Sequence, residues 1–248
     1  MVAKQRVFFV EGNIGSGKTS FLQQLEKAYP THVQVVYEPV AQWEKLLDAS
    51  GKSILDYFYS DMQRYSYLFQ SAVFLSRIRA MEQIDPQKPI VFVERSVDCD
   101  MRIFASNCFE NGVMSDIEWK IYTDWHEWMC TTLAKNQLVP APSDCAYVYL
   151  RTSPEVAFER MERRSRASET GTVKREYIEQ LHAKHDAWLS AGREGLEGSH
   201  CAQSIIQLDG NQNFIADSEV LKRMLSTCIH GTEEDEGKNG GISSSLQE

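Results

Sequence analysis

Residues 9–20 read FVEGNIGSGKTS, the end of an apolar run followed by three glycines, a lysine and two hydroxyls. Gly12 to Thr19 satisfies every fixed position of G-x-x-x-x-G-K-[ST]. Glycines let the backbone curl until successive N–H groups point inward at phosphate oxygens, and a helix opening at Gly17 adds its positive end. In such a loop the lysine bridges the β- and γ-phosphates and the hydroxyl ligates Mg²⁺. Gly12, Asn13, Ile14, Gly15, Ser16, Gly17, Lys18, Thr19 and Ser20 are therefore expected to hold ATP or GTP, with Lys18 on the phosphates and Thr19 on the metal. The loop follows the apolar VFFV and opens TSFLQQLEKAY, the strand-to-helix setting that it requires.

Working outward, short apolar runs alternate with longer amphipathic segments. VFFV (7–10), VQVVYE (33–38), IVFVE (90–94), AYVYL (146–150) and SIIQL (204–208) read as strands buried on both faces, because they barely alternate. Helical patterns fall at 17–28, 53–84, 115–134, 154–167, 174–191 and 217–228. The order predicts an α/β fold with a five-stranded parallel sheet, helices on both faces and sites at the carboxyl ends of the strands. Residues 1–230 are expected to form one domain. The segment 231–248, GTEEDEGKNGGISSSLQE, has almost no apolar content and is expected to be a disordered tail.

The 248 residues carry a net charge of −9, which argues against nucleic acid or an anionic membrane as a partner. No apolar stretch approaches the ~20 residues of a membrane span. The six cysteines show no CxxC and read as reduced, buried thiols; with no leader evident at the start, the expected location is the cytoplasm.

No guanine-reading NKxD is present, and strand three ends in Glu94-Arg95-Ser96 rather than in an ATPase aspartate. An acid and an arginine at that edge suit an enzyme that holds Mg²⁺ and an acceptor together. Glu38, expected at the carboxyl end of strand two and beside the phosphate loop, can take a proton from an attacking hydroxyl. Gln70, Val73 and Arg77 share one helical face, where an amide and a guanidinium can read a base edge. RMERRSRASE (160–169) is an arginine cluster expected to form a lid over phosphates. His182 and His185, with Glu179, spread around a helix and read as its surface rather than as a metal site.

EGNIGSGKTS, YEPVAQW, FQSAVFLSRIRA, VERSVDCDMRIFASN, EWKIYTDWHEWM and the lid segment through EYIEQLHAKHDAWL together resemble the deoxynucleoside kinases, and among them the deoxycytidine and deoxyguanosine kinase branch. The likeness runs in order from about residue 5 to 228. It implies a P-loop kinase fold, usually a homodimer, that moves the γ-phosphate of ATP to a deoxynucleoside 5′-OH in nucleotide salvage. By matching motif, Glu38 resembles the base, Glu94 the Mg²⁺-holding acid and Arg95 the residue that stabilises the transferred phosphoryl. Gln70 would pair with the base, with Trp43, Phe69, Val73 and Phe104 around it. Tyr59 and Glu169 match positions that hold the 3′-OH. Arg160, Arg164 and Arg166 match lid arginines, and Asn213 with Phe214 falls where a loop covers the donor base.

Arg77 and Asp100 match the pair that reads deoxycytidine and purines, so deoxycytidine is expected first, with deoxyadenosine and deoxyguanosine secondary. Val73 and Met101 depart from that branch and keep a thymidine-accepting enzyme as an alternative, while Asn213, where an aspartate is usual, bears on the choice of phosphate donor. A nucleoside monophosphate kinase and a non-catalytic nucleotide-binding subunit are the further alternatives.

Overall fold

The computed structural model describes residues 5–135, 141, 144–166, 171–192 and 194–230. Its centre is one all-parallel sheet of β1 (Arg6–Glu11), β2 (Val33–Val36), β3 (Ile90–Glu94), β4 (Cys145–Arg151) and β5 (Ile205–Asp209), in the order β2-β3-β1-β4-β5. Val7 pairs with both Val91 and Cys145, so the phosphate-loop strand lies in the middle.

Strict alternation within these apolar runs sorts the core into two layers. Phe8, Val10, Phe92, Val148 and Leu150 meet α1 (Lys18–Ala28) and α10 (Ser218–His230) on one face. Val7, Phe9, Val91, Val93, Tyr147 and Tyr149 meet the helices on the other. Those are α4 (Met62–Met81), α5 (Val97–Cys99), α7 (Asp116–Lys135) and α9 (Arg175–Leu189). A strand covered on both sides needs no polar face, which is why the runs barely alternate in hydrophobicity.

Three expectations on element bounds are corrected. The 53–84 pattern is two helices, α3 (Ile54–Ser60) and α4, broken at Asp61, whose carboxylate caps the second by accepting the Arg64 N–H at 3.1 Å. A capping box between Ser53 and Asp56 starts the first. The 154–167 pattern ends as α8 (Pro154–Arg164), because Ser165 turns left-handed at φ 55°. Strand two stops at Val36, so Glu38 sits in the turn before α2 (Val40–Lys45). With β3 between β2 and β1, Glu38 lies beside Glu94 rather than beside the phosphate-loop strand. Residues 97–110, absent from the expected helices, are helical throughout: α5, a π-helical stretch Asp100–Ala105, and α6 (Ser106–Glu110). Glu169 and the 231–248 tail lie outside the described residues.

Candidate active site

Between β1 and α1 the loop is shaped by glycine. Gly15 has φ 76°, and a Cβ there would lie 2.1 Å from the Ala157 carbonyl oxygen, so α8 packs on the loop only because that atom is missing. Gly17, at φ 98°, caps α1 and would press a Cβ on the Phe214 ring. Asn13 ties the loop to α9, donating to the Ile178 carbonyl at 2.8 Å, while its own side-chain oxygen accepts the Ile14 N–H.

Lys18 is buried and donates to the carbonyls of Gly12 and Asn13, at 3.1 and 2.9 Å. Burial first, and then the Arg95 charge, lowers its pKa to about 8, although Glu94 and Glu38 pull the other way. Thr19 donates to Glu94 Oε1 at 2.7 Å, which joins the helix start to the end of β3. A hydroxyl and a carboxylate, both hard oxygen donors, are the set that Mg²⁺ takes with phosphates, so Thr19 and Glu94 fit the expected metal.

Glu38 is the hub of the charge network. Its Oε1 lies 2.9 Å from Arg77 and 3.3 Å from Arg95. Burial alone would raise its pKa; Arg95, Arg77 and Lys18 outweigh that and hold it at about 2. Arg77 grips Asp100 bidentately, Nε to Oδ2 at 2.7 Å and a terminal nitrogen to Oδ1 at 2.9 Å, and also donates to the Glu94 carbonyl. Arg95 takes a left-handed φ of 65°, rare outside glycine, and lays its guanidinium 4.8 Å over the Phe104 ring. Beneath it, Ser96 donates to Glu11 at 2.6 Å. Burial raises the Glu11 carboxyl.

Two cavities converge on this network. The smaller, about 520 Å³, holds Trp43, Tyr59, Phe69, Gln70, Val73, Arg77, Asp100 and Phe104 in its wall. Gln70 is buried; its amide nitrogen faces Cys108 Sγ at 4.0 Å, and its carbonyl oxygen has no partner. The larger, about 1990 Å³, runs along the phosphate loop past Thr19, Ser20, Arg160, Arg164, Asn213 and Phe214. Glu38, Arg95, Arg166, Ile14 and Val40 line both. Two ligands placed in these cavities meet at Glu38 and Arg95.

Some expected residues sit differently than their motifs suggest. Arg160 is bound rather than free, donating to the carbonyls of Ser16, Gly210, Asn211 and Gln212. Phe214 is buried against Phe21 and closes the start of α1 from below. Phe74, next to Val73 on the same helix, does not join the wall of the smaller cavity but packs on Trp125 and His126 in the core. Leu55 and Phe58, which no motif marks, and Tyr177, which falls in a matching segment but carries no expected role, also line the smaller cavity. They are ordinary apolar or aromatic positions on helices, and only the packing of α3 and α9 brings them there.

A sequence model of the deoxynucleoside kinases matches residues 8–230. The chain belongs to the deoxynucleoside kinase family. It is similar to the bovine (Bos taurus) deoxycytidine kinase, 39% identical over 224 residues that span 83% of this chain and 84% of the relative. The mouse (Mus musculus) deoxycytidine kinase is 36% identical over 241 residues, 88% of this chain and 90% of the relative. The mitochondrial deoxyguanosine kinase of Xenopus laevis is 30% identical over 197 residues, 73% and 72% of the two chains. Membership makes this a kinase that phosphorylates deoxynucleosides from ATP. It agrees with the parallel sheet and with the loop that opens the sequence.

Proposed function

We propose that this kinase phosphorylates the 5′-OH of deoxycytidine first and of deoxyadenosine and deoxyguanosine second, in cytoplasmic nucleotide salvage. The observation that carries the base preference is the bidentate Arg77–Asp100 pair, which closes one wall of the smaller cavity with charge, a poor neighbour for the thymine methyl. Gln70 supports a nucleobase in that cavity without choosing among bases: its buried carbonyl oxygen has no partner, an unpaired buried acceptor costs ~1–3 kcal/mol, and an exocyclic amine or a ring N–H would supply the missing donor. Tyr59 and Glu169 would hold the 3′-OH, and Trp43, Phe69, Val73 and Phe104 would pack on the ring.

For the chemistry, the donor triphosphate would lie on the backbone N–H groups of the loop, under Lys18, Arg164 and Arg166. Mg²⁺, held through Thr19 and Glu94, neutralises phosphate charge when bound. Glu38 would orient the 5′-OH and accept its proton, and Arg95 would stabilise the moving phosphoryl. A carboxylate held near pKa 2 is a weak base, yet a loose, metaphosphate-like transfer asks little of the nucleophile, so the proton can leave late. Asn213 and Phe214 would flank the donor base, and Arg160 would fix that loop to the phosphate loop.

The family match ends at residue 230, which supports one catalytic domain over 1–230 with 231–248 as an appended tail. Six free, buried cysteines support a reducing compartment. Exposed Ile117, Ile121 and Trp128 on α7 and Leu68 and Leu75 on α4 support a homodimer through those helices. The deciding experiment is steady-state kcat/KM for deoxycytidine, deoxyadenosine, deoxyguanosine and thymidine with Mg·ATP. Deoxycytidine leading thymidine by tenfold or more is the expected result. Thymidine leading would mean that Val73 and Met101 reshape the pocket. Turnover of dCMP without turnover of deoxycytidine would replace the reading by a monophosphate kinase, and no turnover despite ATP binding by a non-catalytic subunit.

A further inference from the structure

On the sheet face away from α1, α7 directs His126 and Cys130, one turn apart, toward the core, and the segment before β5 lays His200 beside them. One ligand atom from each lies within 4.8 Å of the others. The tautomer of His126 follows from its neighbours. Nε2 is 3.0 Å from the Val97 carbonyl, which only accepts, so Nε2 carries the proton and Nδ1 keeps its lone pair. That lone pair faces Cys130 Sγ at 3.8 Å. Bonds of ~2.0 Å to nitrogen and ~2.3 Å to sulfur, meeting at a tetrahedral angle, separate such ligands by about 3.6 Å. The pair is a few tenths of an ångström from metal-binding separation.

Room and rigidity are present as well. Cys130 and His200 line a cavity of about 330 Å³ with Phe9, Met81, Val97, Leu133 and Cys201. Asp98 accepts the backbone N–H groups of His200 and Cys201 and the hydroxyls of Ser199 and Tyr147, which holds the segment carrying His200. His200 Nε2 lies 3.0 Å from Glu127 Oε2, and a carboxylate on a ligating imidazole is the usual outer partner in zinc sites. The second cluster of this kind, Glu11 with Cys99 and His185, lies against the Arg95 charge and is closed on all sides, which opposes a cation there.

We propose that His126, Cys130 and His200 bind one thiophilic divalent cation of the zinc class, with water completing a tetrahedral, structural site. The thiol loses its proton to solvent as the S–metal bond forms, one proton per ion, with no change of oxidation state. Because the thiol must lose that proton to bind, binding strengthens as pH rises. The ion would join α7 to the 199–202 segment and, through the His126–Val97 bond, to the helix start that follows Glu94-Arg95-Ser96.

The test is titration of the metal-stripped full chain with Co²⁺. The expected result is one equivalent bound with a thiolate-to-cobalt absorption band, which a hard-oxygen site at Thr19 and Glu94 cannot produce, and displacement by Zn²⁺. Cys130→Ser should abolish the band, and His200→Gln, at a half-buried position, should weaken binding at least tenfold with far-UV dichroism unchanged. No band in the unmodified chain overturns the proposal. So does a band that survives in Cys130→Ser, or an affinity unchanged in His200→Gln, the variant that decides should Cys130→Ser not fold.

Discussion

Glu38 accepts a hydrogen bond from Arg77 and pairs in charge with Arg95, and its replacement separates its charge from its shape. Glu38→Gln keeps the side-chain volume and removes the carboxylate proposed to take the 5′ proton; kcat for deoxycytidine is expected to fall by roughly 10²–10⁴, as loss of a general base does. An intact kcat with only a raised KM would move the base to Glu94. Lys18 makes a prediction in pH. Its pKa near 8 in the free enzyme puts the neutral amine in the majority above that value. The charged form is the one that binds triphosphate, so KM for ATP should be flat below pH 7 and rise as pH passes about 8, in a pH series at saturating nucleoside. At this scale the loop and Glu38, Glu94 and Arg95 were legible because their chemistry restricts residue type and spacing. Arg160 was legible only as a charge; its four carbonyl partners come from two segments fifty or more residues away.

At the scale of elements, α4 carries Gln70, Val73 and Arg77 into one wall, and the break before it sets their height. The periodicity of apolar residues runs through Asp61 unbroken, so the pattern alone reads one long helix. The signal for the break was local: Asp61, a residue type that caps helix starts and here accepts from the Arg64 N–H. Asp61→Ala should lower unfolding stability by ~0.5–2 kcal/mol in urea titrations, with kcat nearly unchanged, because it removes a cap and touches no ligand. The π-helical stretch at Asp100–Ala105 has no such local mark. It turns Asp100 toward Arg77 and Phe104 toward Arg95, and the bidentate ion pair holds it there.

Among the described residues, five of the eight large exposed apolar side chains, Leu68, Leu75, Ile117, Ile121 and Trp128, lie on α4 and α7; Leu46, Leu47 and Ile215 are the other three. Trp128 is 62% exposed and Ile117 63%, more than a lone surface residue needs. If these faces pair two copies, sedimentation equilibrium should give twice the 28.4 kDa chain mass, and Ile121→Glu with Trp128→Glu should shift it to the monomer. A monomer in the unmodified protein at micromolar concentration would remove the pairing.

The sequence by itself determined the parallel α/β class, the phosphate loop and the chemical types at the reacting centre. Strands covered on both faces must be apolar throughout, and backbone cradles for phosphate must be glycine-rich, so both leave marks on consecutive residues. Only the tertiary structure decided that β3 separates β2 from β1, that Glu38 answers to both Arg77 and Arg95, and that Leu55, Phe58 and Tyr177 complete the smaller cavity. It also decided that His126, Cys130 and His200 converge, although His200 is seventy positions along the chain from Cys130. Such contacts depend on how helices dock on the sheet, a sum over the whole core that no local spacing records.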